Sequence, residues 1–186
     1  MKVVFGGAFD PPHNGHVALV RAAKEHLGVE RLLVLVSADP GHKRVATPAA
    51  VRLELARAAF PDDDVELDAH PRTVDLLRAH AEWVDPVFVV GADEFAEFLS
   101  WKEPGEILRL ARLAVAARPG YPRELLEDVL ERLAAPERVH FFELAEPQAS
   151  RVLRARPEPR EMPPAVAAIV ERDGLYGQSP GYTEDA

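Results

Sequence analysis

The sequence contains no cysteine, and that absence excludes several kinds of chemistry. Disulfide bonds, thiolate nucleophiles and cysteine-based zinc sites are all impossible. Long apolar runs are also missing, because no stretch approaches the ~20 residues of a membrane-spanning helix. Near the N-terminus, two glycines and Asp10 interrupt the continuous apolar core that a secretory signal peptide needs. We therefore expect a cytoplasmic protein that does not enter a membrane.

Positive charge is scarce as well. The chain has 22 lysines and arginines against 31 aspartates and glutamates, which gives a formal net charge of −9. This deficit argues against a broad phosphate-binding surface, so we expect no nucleic-acid partner. Any anion that the protein binds must be held by a local cluster of donors. The length of 186 residues fits one well-buried core.

Apolar runs typical of buried parallel strands alternate with segments of helical periodicity. Strands are predicted at residues 2–5, 31–37, 65–69, 86–93, 112–120 and 138–144. Helices are predicted from about Asn14 to a terminating Gly28, and at 47–60, 73–83, 103–111, 121–133, 148–155 and 163–172. The second of these helices is expected to have Thr47 as its N-cap and Pro48 at its first position.

This alternation predicts the α/β fold class, with a Rossmann-like open parallel sheet and helices on both faces. We expect a single domain over residues 1–176, with a short helical C-terminal part from about residue 145. Residues 177–186 are expected to form a disordered tail. In a sheet of this kind, ligands bind at the carboxyl ends of the strands.

The segment GGAFDPPHNGH, residues 6–16, follows the first predicted strand and leads into the first predicted helix. Gly6 and Gly7 lack Cβ atoms, which allows a sharp turn and a close approach of a ligand to the main chain. His13 and His16 would lie at the helix N-terminus, where N–H groups and the helix dipole favour anions. The segment therefore predicts a phosphate-binding loop.

Two other interpretations of this segment stay open at the level of residue pattern. One is an ordinary Gly-Pro turn that carries two surface histidines. The other is a metal site, since His-x-x-His is a possible ligand spacing, although no third ligand is evident. The spacing matches neither the Gly-x-Gly-x-x-Gly nor the P-loop pattern, which disfavours a dehydrogenase or a P-loop ATPase.

The tetrad His13-Asn14-Gly15-His16 resembles the His-x-Gly-His hallmark of the nucleotidyltransferase superfamily. The preceding Phe-Asp-Pro-Pro-His form is similar to the bacterial nicotinate mononucleotide adenylyltransferases in particular. This resemblance implies adenylyl transfer from the substrate ATP to nicotinate mononucleotide, giving the deamido dinucleotide and pyrophosphate. It also implies Mg²⁺ bound through the ATP phosphates, and no separate protein-bound metal.

The resemblance assigns roles residue by residue. The catalytic residues would be His13, His16 and Lys43. ATP would be bound by Gly6, Gly7, Phe9, His13, Gly15, His16, Gly91, Asp93, Ser150 and Arg154. The mononucleotide would be bound by Ala8, Phe9, Lys43, Thr73, Asp93, Trp101 and Arg118.

Several of these assignments compete with ordinary structural roles. Lys43 would reach the ATP phosphates, but a single loop lysine is usually just solvated. Asp93 would accept hydrogen bonds from ribose hydroxyls, and Trp101 would stack on the pyridine ring, although such a tryptophan is more often part of a core. Arg52 matches a family arginine and could equally form a salt bridge on a helix face. Tyr176 resembles the tyrosine of the family's terminal Leu-Tyr pair and is interpreted as structural.

The chain departs from the family pattern in two places. Pro71 and Arg72 replace a Ser-Tyr pair before Thr73. In QASRVLR, residues 148–154, Ala149 and Arg151 replace a Ser and a Thr of the segment that grips the β- and γ-phosphates.

Different functions also remain open. One is an adenylyltransferase that uses phosphopantetheine or a polyol phosphate as its acceptor. Another is a nucleotide-binding sensor without turnover. The sequence does not decide between the acid and amide forms of the mononucleotide, or whether the chain forms a homo-oligomer.

Overall fold

A computed structural model describes residues 1–41, 45, 47–118, 121–144 and 158–177. Within these residues, six parallel strands form one sheet in the order β3-β2-β1-β4-β5-β6. The strands are β1 (Val3–Gly7), β2 (Leu33–Ser37), β3 (Asp64–Asp68), β4 (Val87–Gly91), β5 (Arg112–Ala117) and β6 (Val139–Glu143). The α/β class and the open parallel sheet predicted from the sequence are confirmed.

The strands are connected mainly by helices. These are α1 (Asn14–Leu27), α2 (Ala49–Ala59), α3 (Thr73–Ala79), α4 (Ala92–Ala96), α5 (Pro104–Leu110), α6 (Arg123–Glu131) and α7 (Pro164–Arg172). Short 3-10 turns lie at Phe98–Ser100, Pro136–Arg138, Pro159–Glu161 and Leu175–Gly177. In the described part of the chain, no helix is both long and apolar enough to span a bilayer.

Helices cover both faces of the sheet, so each strand contributes side chains to two cores. In β1, Val3 and Phe5 pack into one core, while Val4 packs into the other. Side chains alternate across a strand, and both faces here are covered, which explains why the strands have nearly continuous apolar sequences. The sheet is therefore a rigid platform, and the loops at its carboxyl edge are built on it.

The structure corrects several predicted boundaries; for example, the strand predicted over 112–120 ends at Ala117. Pro48, not Thr47, occupies the N-cap position of α2, because the Thr47 hydroxyl donates to Asp10 at 2.7 Å instead of capping the helix. The helix predicted over 73–83 ends at Ala79, and the strand predicted over 86–93 ends at Gly91, where α4 begins. Gly28 adopts φ 64° and terminates α1, as predicted.

Two predictions lie largely or wholly outside the described residues. These are the helix at 148–155 and the tail at 177–186, of which the structure describes only Gly177, the end of a 3-10 turn. The division into one domain and a tail stays a prediction.

Candidate functional site

The crevice between β1 and β4 is the topological switch point of the sheet. From these two central strands, successive strands run outward in opposite directions, so the loops that follow them diverge. Phe5 lies opposite Val89, and each strand ends two residues later in a glycine, Gly7 or Gly91. The GGAFDPPHNGH loop and the Gly91–Asp93 segment therefore meet at one edge of the sheet, where the sequence predicts a ligand.

His13 and His16 lie together at the N-terminus of α1. His13 occupies the N-cap position, and its backbone N–H donates to Nδ1 of His16 at 3.2 Å. A ring nitrogen that accepts a hydrogen bond carries no proton, so neutral His16 has its proton on Nε2. The sequence thus builds a ring-nitrogen donor into the first turn of a 14-residue helix.

The two imidazole rings stack, with centroids 3.6 Å apart and planes inclined by 25°. His13 is buried, and His16 is half-buried with its ring against the edge of Phe9, 5.2 Å between centroids. Within the described residues, no group of three histidine, aspartate or glutamate side chains is arranged to hold a metal ion. Because Nδ1 of His16 is engaged with the helix cap, the pair is organised for hydrogen bonding.

Phe9 is part of the core, which refines its predicted role in binding. The residue is only 2% exposed, and its ring packs edge-on against Phe5 and Phe60. A Cβ on Gly7 would lie 2.8 Å from the Phe9 ring, so glycine at this position makes room for that ring. Phe9 itself adopts φ 50°, a left-handed conformation that is uncommon for an aromatic residue. A ligand in the crevice would meet the main chain of Phe9, while its ring anchors the loop.

Arg52 is a buried residue of α2, only 1% exposed, that contacts the loop after β1. Its guanidinium donates to four backbone oxygens, those of Ala8 (2.7 Å), Ser37 (2.7 Å), Ala38 (3.1 Å) and Thr47 (3.2 Å). These oxygens belong to the loop after β1 and to the connection between β2 and α2. Among the residues that the structure describes, Arg52 makes these bonds to backbone oxygens in place of the helix-face salt bridge considered from the sequence. Burial lowers the pKa of Arg52, and nearby Asp10 opposes that shift, so the guanidinium stays a cation.

Asp10 is the centre of a network that sequence reasoning missed. Its Oδ1 accepts hydrogen bonds from the hydroxyls of Tyr176 at 2.6 Å and Thr47 at 2.7 Å. Tyr176 is 166 residues away in sequence, and no local pattern indicates the contact. Burial and the bond to Asp10 raise the pKa of the Tyr176 phenol, so the group remains a donor at neutral pH. These hydrogen bonds attach the C-terminal 3-10 turn to the GGAFDPPHNGH loop.

Asp93 and Arg118 come together across the ends of β4 and β5. Arg118 Nη2 donates to Asp93 Oδ1 at 2.6 Å, and the Arg118 guanidinium lies 5.5 Å from the ring of Tyr121. Asp93 lies in the first turn of α4, two residues after the end of β4. The sequence predicted both residues for the site but did not predict that they form an ion pair.

A cavity of about 520 Å³ opens beside Arg118, at the carboxyl ends of β5 and β6. Tyr121, Leu126, Phe141 and Glu143 are among the side chains that line it. Apolar and charged groups thus share its walls, and its volume is in the range of small-molecule sites. Arg118, which lines this cavity, is the residue that pairs with Asp93.

Thr73 and Trp101 lie on segments that contact each other. Thr73 is the first residue of α3. Asp75 in the same turn forms an ion pair with Lys102, which follows Trp101, with 3.5 Å between Oδ1 and Nζ. Trp101 is half-buried and packs on Phe98 with 5.4 Å between ring centroids. The tryptophan is therefore partly a core residue, and its remaining surface is accessible.

Three predicted residues cannot be placed in this geometry. Lys43, Ser150 and Arg154 lie outside the described residues, as do the altered positions Ala149 and Arg151. Their assignments stay predictions.

Comparison with known proteins gives a consistent result. The model of the cytidylyltransferase-like family matches residues 4–159. A protein of Rubrobacter xylanophilus named "probable nicotinate-nucleotide adenylyltransferase" is 33% identical, over 93% of this chain and 90% of its own length. A Thermus thermophilus protein of the same name is 35% identical, over 93% of this chain and 97% of its own length.

A solved structure also has this fold. The nicotinic acid mononucleotide adenylyltransferase of Plasmodium falciparum, complexed with NaAD, superposes with a TM-score of 0.74. The match covers 97% of this chain and 100% of that chain, at 14% sequence identity. At this identity the likeness concerns the arrangement of strands and helices.

Proposed function

The chain belongs to the cytidylyltransferase-like family and, within it, to the nicotinate-nucleotide adenylyltransferases, and from this premise we propose how it performs adenylyl transfer. The reaction joins ATP and nicotinate mononucleotide to give nicotinate adenine dinucleotide and pyrophosphate, a step of NAD biosynthesis. The single observation that carries the mechanism is the stacked pair His13 and His16 at the N-terminus of α1, in the β1–β4 crevice.

The nucleophile of this reaction needs no general base. A phosphate oxygen of nicotinate mononucleotide, already anionic near neutral pH, attacks the α-phosphorus of ATP. The bond from that phosphorus to the bridging oxygen breaks, and its electron pair leaves with pyrophosphate. Charge therefore moves from the acceptor phosphate to the leaving group without a covalent enzyme intermediate. Catalysis reduces to positioning and to stabilising negative charge.

The histidine pair supplies donors for that charge. We place the Nε2–H of His16 against the phosphate oxygens whose charge grows as pyrophosphate leaves. The backbone N–H groups of the first turn of α1 and the positive end of its dipole act in the same direction. A preorganised donor of this kind typically contributes about 10²–10³ in rate. His13, stacked on His16, would donate to the neighbouring phosphate.

Mg²⁺ enters this scheme as part of the substrate. Bound to the phosphate oxygens of ATP, the ion neutralises charge, and such ions usually keep several water ligands and need few protein carboxylates. Lys43, Ser150 and Arg154 are proposed as further phosphate ligands on the strength of the resemblance. Glycines 6, 7, 15 and 91, together with the main chain of Ala8 and Phe9, would allow the nucleotides to approach the backbone closely.

The acceptor is proposed to lie between α3 and the segment of Trp101. The accessible face of Trp101 offers a stacking surface for a pyridine ring, and Thr73 lies on the segment next to it. Asp93 would accept hydrogen bonds from ribose hydroxyls while Arg118 holds its Oδ1. Acceptors without a flat aromatic ring gain nothing from Trp101.

A pyrophosphate-release assay with a panel of acceptors tests this proposal. The purified protein is given MgATP with nicotinate mononucleotide, nicotinamide mononucleotide, phosphopantetheine or no acceptor. We expect the fastest release with nicotinate mononucleotide and none without an acceptor. Faster release with phosphopantetheine would contradict the acceptor assignment. Binding of both nucleotides without any release would identify a sensor. Light scattering of the purified protein would test whether it is an oligomer. Fractionation of cells that produce it would test whether it is cytoplasmic.

A further inference from the structure

We infer that Tyr176 is a positioning residue for the reaction, because its hydroxyl, acting through Asp10, fixes the loop that presents His13 and His16. This inference rests on the proposed function. Tyr176 lies in the 3-10 turn Leu175–Gly177, beyond the last strand and the last described helix. It is not placed against the reacting atoms, and its effect would be transmitted by hydrogen bonds.

The contact is a convergence of two hydroxyls on one carboxylate oxygen. Tyr176 donates to Asp10 Oδ1 at 2.6 Å, and Thr47 donates to the same atom at 2.7 Å. The two hydroxyl oxygens are themselves 3.4 Å apart. Hydrogen bonds to a carboxylate are charge-assisted and short, and are stronger than those between neutral groups. Asp10 is therefore held by two donors from distant parts of the chain.

Asp10 occupies a sensitive place in the loop. It directly follows Phe9, whose φ of 50° requires support from the surrounding structure. On the other side of Phe9, the Ala8 carbonyl is held by Arg52 at 2.7 Å. The residues on both sides of Phe9 are thus held by hydrogen bonds, Ala8 by Arg52 and Asp10 by the hydroxyls of Tyr176 and Thr47.

The Phe9 ring connects this part of the loop to the two histidines by direct packing. It packs edge-on against His16 with 5.2 Å between centroids, and His16 in turn stacks on His13. A loop that relaxes at Asp10 would shift the Phe9 ring and with it the donor of His16. Misplacement of a catalytic group by about 1 Å can reduce the rate by about 10²-fold.

The same C-terminal region offers a matched control. Arg172 at the end of α7 donates to Glu54 of α2 at 3.0 Å, an exposed ion pair that makes no hydrogen bond with Asp10. Replacing Glu54 with glutamine weakens the docking of the C-terminal segment without touching the Asp10 network. An exposed pair of this kind contributes little to stability.

The test compares Tyr176→Phe, Thr47→Val, Thr47→Ser and Glu54→Gln by steady-state pyrophosphate release and thermal unfolding. We expect Tyr176→Phe and Thr47→Val to lower kcat at least ~10-fold with KM nearly unchanged, the pattern of a lost transition-state interaction. Thr47→Ser keeps the hydroxyl and should restore the rate. Glu54→Gln should leave kcat as in the unsubstituted protein.

Each outcome decides something. No pyrophosphate release by the unsubstituted protein overturns the proposed function, and the inference with it. An active unsubstituted protein with an unchanged kcat in Tyr176→Phe overturns the inference alone. If Tyr176→Phe unfolds, the Thr47 pair decides, because a loss in Thr47→Val that Thr47→Ser does not restore contradicts positioning by the hydroxyl network. A kcat loss in Tyr176→Phe that is equally large in an Asp10→Ala background contradicts action through Asp10.

Discussion

Replacement of Arg52 by methionine tests whether this buried cation holds the loop after β1 and the connection between β2 and α2 in place. The substitution keeps an unbranched, apolar side chain in the same space and removes every guanidinium donor. Arg57 provides the matched control, because it lies on the same helix, α2, with an exposed side chain. Arg52→Lys is the conservative variant, since one ammonium cannot reproduce the planar fork of the guanidinium.

The magnitude follows from the contacts of Arg52. Its guanidinium donates to four backbone oxygens, on Ala8, Ser37, Ala38 and Thr47. A hydrogen bond contributes about 1 kcal/mol net, and more when the donor is charged. Desolvation of the guanidinium offsets the excess, as its lowered pKa indicates. We therefore expect Arg52→Met to lower the free energy of unfolding by about 4 kcal/mol and Arg52→Lys by about half as much.

Urea unfolding followed by far-UV circular dichroism measures this difference, with thermal unfolding as a second reading. For a protein of this size about 1 kcal/mol shifts Tm by about 2–4 °C, so the methionine variant should melt about 8–16 °C lower. Arg57→Met should stay within about 0.5 kcal/mol of the unsubstituted protein. A loss in Arg52→Met as small as that in Arg57→Met would refute the assigned role of Arg52.

Three further predictions concern the site and its support. His16→Ala should lower kcat at least ~100-fold while the protein stays folded by circular dichroism. His26→Ala, at the far end of the same helix, should leave kcat unchanged, and equal rates of the two variants in steady-state assays would contradict the donor role. Trp101→Ala should weaken binding of nicotinate mononucleotide about tenfold, measured by calorimetry, and leave ATP binding unchanged. The control variant Trp83→Phe should bind both ligands as the unsubstituted protein does. Equal losses for both ligands in Trp101→Ala would argue against stacking. Burial raises the pKa of the Tyr176 phenol in the folded protein. As the pH rises, the unfolded chain therefore loses this proton before the folded protein does. The stability that the protonated phenol contributes is present below pH about 10 and is lost as the pH rises further. Thermal unfolding at pH about 9 to 11 should therefore show a decline that is weaker in Tyr176→Phe, and identical slopes would contradict it.

The fold could be predicted from the sequence because its signals are local. Apolar runs mark the buried strands, and Gly28 marks the end of α1 through its left-handed conformation. The wrong predictions at Thr47 and Gly91, for a helix cap and a strand end, each have a physical cause. Thr47 was expected to cap α2, but a charged acceptor from another part of the chain competes for its hydroxyl. Gly91 leads directly from strand to helix, and periodicity cannot locate such a boundary.

The predicted chemistry of the site rests on one segment, whereas the contacts that hold this segment in place could not be predicted. GGAFDPPHNGH predicts the histidines at the helix N-terminus because all of its parts are adjacent in sequence. The assignment of Phe9 to ligand binding stays a prediction for its main chain. That its ring lies in the core is shown only by its neighbours in three dimensions. Arg52 and Tyr176 reach the loop from α2 and from the C-terminal turn. Contacts across such separations leave no periodic pattern, so a single sequence does not reveal them.

The stoichiometry of the products shows whether the adenylyl group is transferred to the mononucleotide. The purified protein, supplied with MgATP and nicotinate mononucleotide, should form nicotinate adenine dinucleotide and pyrophosphate in equal amounts, measured by mass spectrometry and a coupled pyrophosphate assay. Equal accumulation would establish transfer of the adenylyl group to the mononucleotide phosphate. Pyrophosphate accompanied by free AMP, or no dinucleotide at all, would contradict adenylyl transfer to the mononucleotide.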